Sequence, residues 1–444
     1  MKFASSKTCC YAVLAICISL IASSVLHGMN ADARSLENLR PARPVIPDRT
    51  FLLTDFGAVG DGKTINTEAF RKAIAAVDVA GGGKLVVPKG VFRTLTVTLC
   101  SNLNLHLEEG AMIQSPASFS DFGVPDPAIA SAAEVKAKYQ PPASLITGKK
   151  LHDVAITGLG TIDGNGPLWW AWSERAARNL KATEPNRIVL RRVHMVVITG
   201  CERLLVSDVT LQNSSMFHLV PKMITDLTIE RVKVRAPHDA PNTDAIDPGS
   251  STNVWIHHCD IDTGDDDIVM KSGGSNILIE DCIIKHGHGL SIGSETSGGI
   301  RNMLVRRCTM DGTDNGIRIK SMRGIGGPVD GVRYSDIKMK NVANVLVLDL
   351  AYVDNNKPDF KGDPSLVPSI KNIIIENVEA LNSKNAGKIV GLPDSKITGI
   401  TLRKVTVTAE KDLVIKDAEK PVLDQTSIEI KPGIYTPPEP EVAE

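Results

Sequence analysis

The sequence predicts an all-β protein, a single-domain right-handed parallel β-helix with an N-terminal capping helix. Three observations lead there: a short apolar pattern recurring through half the chain, spacings too short for α/β units, and a lack of hairpin turn signals. The pattern is eight residues long and apolar at positions 1, 3, 6 and 8. It reads LLVSDVTL from Leu204, LTIERVKV from Leu227, VWIHHCDI from Val254, ILIEDCII from Ile277 and MLVRRCTM from Met303. It continues as VRYSDIKM from Val332, IIIENVEA from Ile373 and ITLRKVTV from Ile400. Alternation, a two-residue step, then alternation again describes two short strands separated by a bend.

Start-to-start spacings of 23, 27, 23, 26, 29, 41 and 27 residues leave little room for a crossover helix. A unit of this size cannot bury its apolar face alone, whereas stacked units share one interior. A β-sandwich is the competing architecture, but the Asn-Gly or Asp-Gly hairpin signals that would favour it are lacking. Cys259, Cys282 and Cys308 fall at position 6 of consecutive repeats and should form an interior ladder. Reduced core thiols suit that ladder better than a bridge between stacked neighbours.

The elements follow in chain order. Residues 1–33 read as an export signal: Lys2 and Lys7, an apolar run from Cys9 to Leu26, and Ala31-Asp32-Ala33 as an A-x-A cleavage site. An uncleaved membrane anchor is the alternative, and no later segment is apolar enough to span a bilayer. Residues 34–50 read as a linker, 51–430 as the solenoid and 431–444 as a Pro-rich, acidic, disordered tail. Asn66 reads as the N-cap of a helix whose Phe70, Ala73, Ile74 and Val77 share a face, and Gly81-Gly82-Gly83 stops it. That helix can cover the open first turn of the solenoid. Residues 118–145 lose the pattern and read as a surface insertion. Residues 168–183 read as a helical excursion with Trp169, Trp170 and Trp172, which either pack against the solenoid or stack on a ligand's rings.

With 50 Lys and Arg against 51 Asp and Glu, the 444-residue chain lacks the cationic surplus of a nucleic-acid binder. Once three cysteines leave with the signal, five remain without a C-x-x-C pair, so neither a zinc site nor a dense disulfide framework is indicated.

Chemistry-bearing residues lie between the octads, in NTDAIDPGS, GDDDIVMKS, GHGLSIGS and NGIRIKS. Aligning Ile246, Ile268, Leu290 and Ile317 puts Asp244, Asp266, His288 and Asn315 at one position, two residues earlier. Consecutive rungs lie about 4.8 Å apart, so Asp244, Asp266 and His288 should stack in a line. Asp265 adjoins them, Asp267 should point away from Asp266, and Arg318 and Lys320 lie beyond. Stacked carboxylates repel, which makes them costly as mere surface. A calcium site would favour more oxygens and no adjoining cations. Acids beside a histidine and two cations suit hydrolysis of a glycosidic bond in an anionic polysaccharide, with one carboxyl protonated and another ionised. Asn213, His218 and Lys271 occupy neighbouring rungs and are candidates for further sugar subsites.

In these residues the sequence resembles the family 28 glycoside hydrolases, the polygalacturonases, on a pectin-lyase-like solenoid. The family's four signatures stand in order as Asn242-Thr243-Asp244, Asp265-Asp266, Gly287-His288-Gly289 and Arg318-Ile319-Lys320. The likeness runs from about Phe51 to the last octads and is greatest to bacterial endo-acting members. Asp267 departs from the pattern, since many relatives carry Cys there. The resemblance implies Asp265 as general acid and Asp244 and Asp266 as the pair that positions and deprotonates water. It also implies His288 as tuner of the acid, and Arg318 and Lys320, with Asn242 beside them, as substrate contacts. It implies inverting hydrolysis of polygalacturonate (pectin) by a secreted monomer with no metal or cofactor, no nucleic-acid partner and no membrane association after signal removal. A calcium-dependent pectate-lyase-like enzyme and a non-catalytic polysaccharide-binding β-helix are the competing readings.

Overall fold

The computed structural model describes residues 36–181, 183–184, 187–353 and 362–438; residues 1–33, which the sequence reads as an export signal, lie outside them. Every ladder between its 27 strands is parallel, as expected of a β-helix. The first positions of all eight octads stack in register: Leu204 on Leu227, then Val254, Ile277, Met303, Val332, Ile373 and Ile400. Two earlier turns belong to the same column, through Val154 and Leu103. Their corner is longer: Val154 reaches Ile162 in eight steps where Leu204 reaches Leu211 in seven, which hides the octad in the sequence.

The two-residue step is a corner in the left-handed backbone region. Position 5 of every octad, from Asp208 through His258 to Lys404, has φ between 51° and 69°. A second such corner precedes each octad, at Arg203, Asp226, Asn253, Asn276, Asn302, Gly331, Asn372 and Gly399. L-residues adopt this region at a cost that Asn and Asp tolerate best, and here a side-chain ladder offsets it. Asn276 Nδ2 donates to Asn253 Oδ1 at 3.1 Å, and Asn302 Nδ2 to Asn276 Oδ1 at 2.8 Å.

Apolar positions fill one continuous interior from Leu53 to Ala409. Cys259, Cys282 and Cys308 sit in it as free, buried thiols. The helix Thr67–Val79 buries Phe70, Ala73, Ile74 and Val77 into its first turns. Asn66 precedes that helix without capping it by side chain: its Oδ1 accepts from Val59 N at 2.7 Å and its Nδ2 donates to Thr64 O at 2.8 Å, so it braces the preceding loop.

Three segments differ from their sequence description. Residues 36–45 are not a free linker but a strap crossing successive rungs. Val45 N donates to Asp153, Arg43 pairs with Glu230 at 2.6 Å, Arg40 lies 4.0 Å over the Trp255 ring, and Leu36 packs on Leu278 and Leu304. The 118–145 insertion and the Trp excursion form one wall with its own small core of Phe119, Val124, Val135, Trp169 and Leu190. Trp169 takes the edges of Phe119 and Phe122 at 5.0 and 5.2 Å and is 1% exposed, so it packs against the insertion and is closed to a sugar ring. In the tail, residues 434–438 are irregular, and Tyr435 N donates to Glu410.

Candidate active site

Ile246 bridges Leu219 and Ile268, and Ile268, Leu290 and Ile317 follow in register. The alignment that placed Asp244, Asp266 and His288 at one rung position therefore holds in the backbone. The column also extends backward, because Ile146, Val196 and Leu219 are in register, which puts His194 and Phe217 on the two rungs before Asp244. Together these residues floor a cleft of about 1020 Å³, walled by Pro141, Pro142 and Val189–Arg192 on one side and by Glu295 and Tyr352 on the other.

The Gly-His-Gly segment has a steric origin. A Cβ on Gly287 would lie 2.5 Å from both carboxylate oxygens of Asp267, and one on Gly289 would lie 1.9 Å from Asn315 O. Both glycines have positive φ. Only their absent side chains let the chain carrying His288 lie this close to its neighbours. Asp267 points away from the cleft as expected: fully buried, it accepts from Gly289 N at 2.7 Å and from Thr263 Oγ1 at 3.2 Å. Burial pushes its pKa well up.

Asp266 is 2% exposed and is held by three donors. Its Oδ1 accepts from Ser291 Oγ at 2.7 Å and from Arg318 at 2.9 Å, and its Oδ2 accepts from Lys320 Nζ at 2.8 Å. Burial opposes its ionisation, but Lys320, Arg318 and His288 prevail and hold it well below the usual carboxylate range. Asp265 is neighbour to His288, whose Nδ1 lies 3.0 Å from Asp265 Oδ1 while its Nε2 lies 3.3 Å from Asp314. Burial alone would depress His288, yet Asp265, Asp314 and Asp266 lift it to about 10. Burial likewise opposes ionisation of Asp265, and His288 overrides it to keep that carboxyl low. The two groups therefore stand as an ion pair, with the proton on His288.

Asp244 differs from both. Burial pushes its pKa well up against the pull of Lys271, whose Nζ donates to its Oδ2 at 2.8 Å. Asn242 donates to Asp265 Oδ2 at 3.4 Å and accepts from Arg192 at 2.6 Å. The buried Arg192 also donates to Ser215 O and so braces this loop.

The remaining candidates fall elsewhere. His218 is fully buried beneath the floor, where its Nε2 accepts from Ser214 N and its Nδ1 donates to Asp244 O at 3.1 Å. Burial lowers it to about 4, so it is neutral and anchors the Asp244 backbone without reaching a sugar. Asn213 turns the chain behind the floor and does not line the cleft; its O accepts from Gly166 N. Arg191, Arg192, His194, Phe217, Asp247, Asp314 and Tyr352 were missed. For His194 and Phe217 the signal was present, since Val196 and Leu219 extend the apolar alignment backward.

Asp265, Asp266 and His288 bring ligand-type atoms within 4.8 Å of one another. A cation there would have to displace Arg318 and Lys320 from Asp266, so the donor set fits a metal poorly.

A β-helical solenoid with paired carboxyls, a histidine and cations along one cleft is a glycoside hydrolase, and this chain belongs to the glycosyl hydrolases family 28, whose model matches residues 84–423. Among its relatives, the endo-polygalacturonase of Pectobacterium parmentieri is 30% identical over 79% of this chain and 86% of its own. That of Pectobacterium carotovorum subsp. carotovorum is 29% identical over 94% and 99%. Among solved structures, an exopolygalacturonase from Thermotoga maritima superposes with a TM-score of 0.73 at 26% identity, covering 89% of this chain and 96% of that one.

Proposed function

We propose that the protein is an exported, monomeric polygalacturonase that hydrolyses α-1,4 linkages between galacturonates with inversion at the anomeric carbon. The carrying observation is the division of the carboxyls. Asp265 faces the protonated His288 at 3.0 Å, while Asp266 is held ionised between two cations and Asp244 stands on the adjoining rung. Residues 51–430 form the catalytic domain, the turns take the right-handed sense usual for parallel crossovers, and the helix Thr67–Val79 caps the open end.

In this reading the His288–Asp265 pair is the acid. The proton on His288 Nδ1 passes along the 3.0 Å contact to Asp265 and on to the leaving oxygen as the glycosidic bond breaks. Asp244 and Asp266 hold a water on the opposite face of the sugar. As the water attacks, its proton goes to Asp244, whose raised pKa makes it the stronger base of the two. Arg318 and Lys320 hold galacturonate carboxylates, Arg by a fork and Lys as a point charge.

The test is incubation with polygalacturonate in the presence of a chelator, following reducing ends, ultraviolet absorbance and product length. New reducing ends without absorbance are expected. An unsaturated, chelator-sensitive product would establish a calcium-dependent lyase, and binding without new ends would establish a non-catalytic solenoid. A spread of oligomers marks endo action, and monomer or dimer alone marks exo action.

A further inference from the structure

Lys271 and the buried Asp244 and Asp247 form a triad that the hydrolytic scheme above does not use in full. The Lys271 ammonium donates to Asp244 Oδ2 at 2.8 Å and to Asp247 Oδ2 at 2.7 Å, and it lies 4.1 Å from the centroid of the Phe217 ring. Three directions suit its three N–H groups, so it is not a free cation awaiting a sugar carboxylate. Asp247 is 2% exposed, and its Oδ1 has no partner among the described residues. Two enclosed carboxyls therefore divide one ammonium, which leaves room for one proton between them.

We propose that Asp247 is a positioning residue of the hydrolytic site: it holds Lys271 against Asp244 and, through its own charge, sets how basic Asp244 is. This rests on Asp244 acting as base. An ionised Asp247 takes a share of Lys271 and adds its own repulsion, which makes Asp244 harder to ionise. A protonated Asp247 gives Lys271 to Asp244 alone and makes ionisation easier. Burial raises Asp247 to about 6, so both states occur in the neutral to mildly acidic range. The other charged groups around the triad are Asp265 and Asp266 from the next rung, Arg192 from the preceding wall, and Lys222, whose rung pairs with Gly249 beside Lys271. Burial lowers His194 to about 4, so it adds no charge there.

The test is the pH profile of kcat/KM for hydrolysis of polygalacturonate by the full-length wild type, Asp247→Asn and Lys271→Met, with melting curves for each. Asp247→Asn removes the competing carboxylate, and its acidic limb is expected to move down by about one pH unit with KM little changed. Lys271→Met leaves two unpaired carboxyls, so its limb moves up and kcat falls more than KM rises. A limb unmoved or raised in a folded Asp247→Asn protein overturns the proposal, as does a Lys271→Met protein whose only change is a higher KM. If Asp247→Asn does not fold, Lys271→Met decides by the direction of its limb, down or unmoved overturning the idea. A wild type without hydrolysis refutes the functional reading itself, whereas an active wild type with unmoved limbs refutes this proposal alone.

Discussion

Lys320→Met tests the electrostatics of the cleft floor. Lys320 Nζ supplies the only bond to Asp266 Oδ2 among the described residues, at 2.8 Å, while Ser291 and Arg318 stay on Oδ1. Breaking a buried pair costs about 3–5 kcal/mol, but a carboxylate that keeps two donors loses nearer the worth of one charged hydrogen bond, about 2 kcal/mol. At about 1.4 kcal/mol per pKa unit, the Asp266 carboxyl should rise by about 1.5 units. It starts well below the usual range, so it stays ionised near neutrality. A depressed folded-state pKa contributes stability that is present above the unfolded value and lost as pH falls through the folded one. Urea unfolding should therefore find the variant about 2 kcal/mol less stable at every pH above about 4, with the gap narrowing only in stronger acid. An unchanged midpoint at neutral pH, or a gap that widens toward acid, would refute the reasoning.

Other outcomes follow from the same geometry. Asp265→Asn should lower kcat about 10²–10⁴-fold while an oligogalacturonate still binds, measured by turnover and calorimetry on one preparation. Gly289→Ala forces a Cβ into Asn315 O and should displace His288, seen as lost activity with a lowered melting temperature; an active, equally stable variant would contradict the close approach. Leu36→Ala should cost about 2 kcal/mol in urea unfolding and leave the pH profile of turnover unmoved, because the strap lies away from the cleft lining.

Much of this architecture was legible because the octad repeats the physical unit: two inward pairs around a left-handed corner. Where the corner lengthened, at Val154, the repeat persisted in space and vanished from the sequence. The strap at residues 36–45 was illegible for a different reason. Its contacts are single residues on separate rungs, each a local pairing with a distant partner, and no periodicity connects Arg43 to Glu230. In the site, the alignment of Asp244, Asp266 and His288 followed from apolar register alone. The burial of His218 is written in the same register, since it precedes Leu219 by one residue as Asp267 precedes Ile268, and its bonds to Ser214 N and Asp244 O show the supporting part it plays. Lys271 was placed beside the right residues, but its second carboxylate, Asp247, lies in a motif read for Asp244.

The thiol column of Cys259, Cys282 and Cys308 gives the protein indifference to redox surroundings. All are buried, Cys201 is buried as well, and burial lifts the pKa of Cys201 to about 12 and that of Cys100 to about 11. The thiolate is the species that exchanges with disulfides or meets oxidants, so few of these sulfurs are ever in reactive form. Among the described residues the solenoid is held together by stacked rungs and no disulfide, so reductant should leave its melting temperature unchanged.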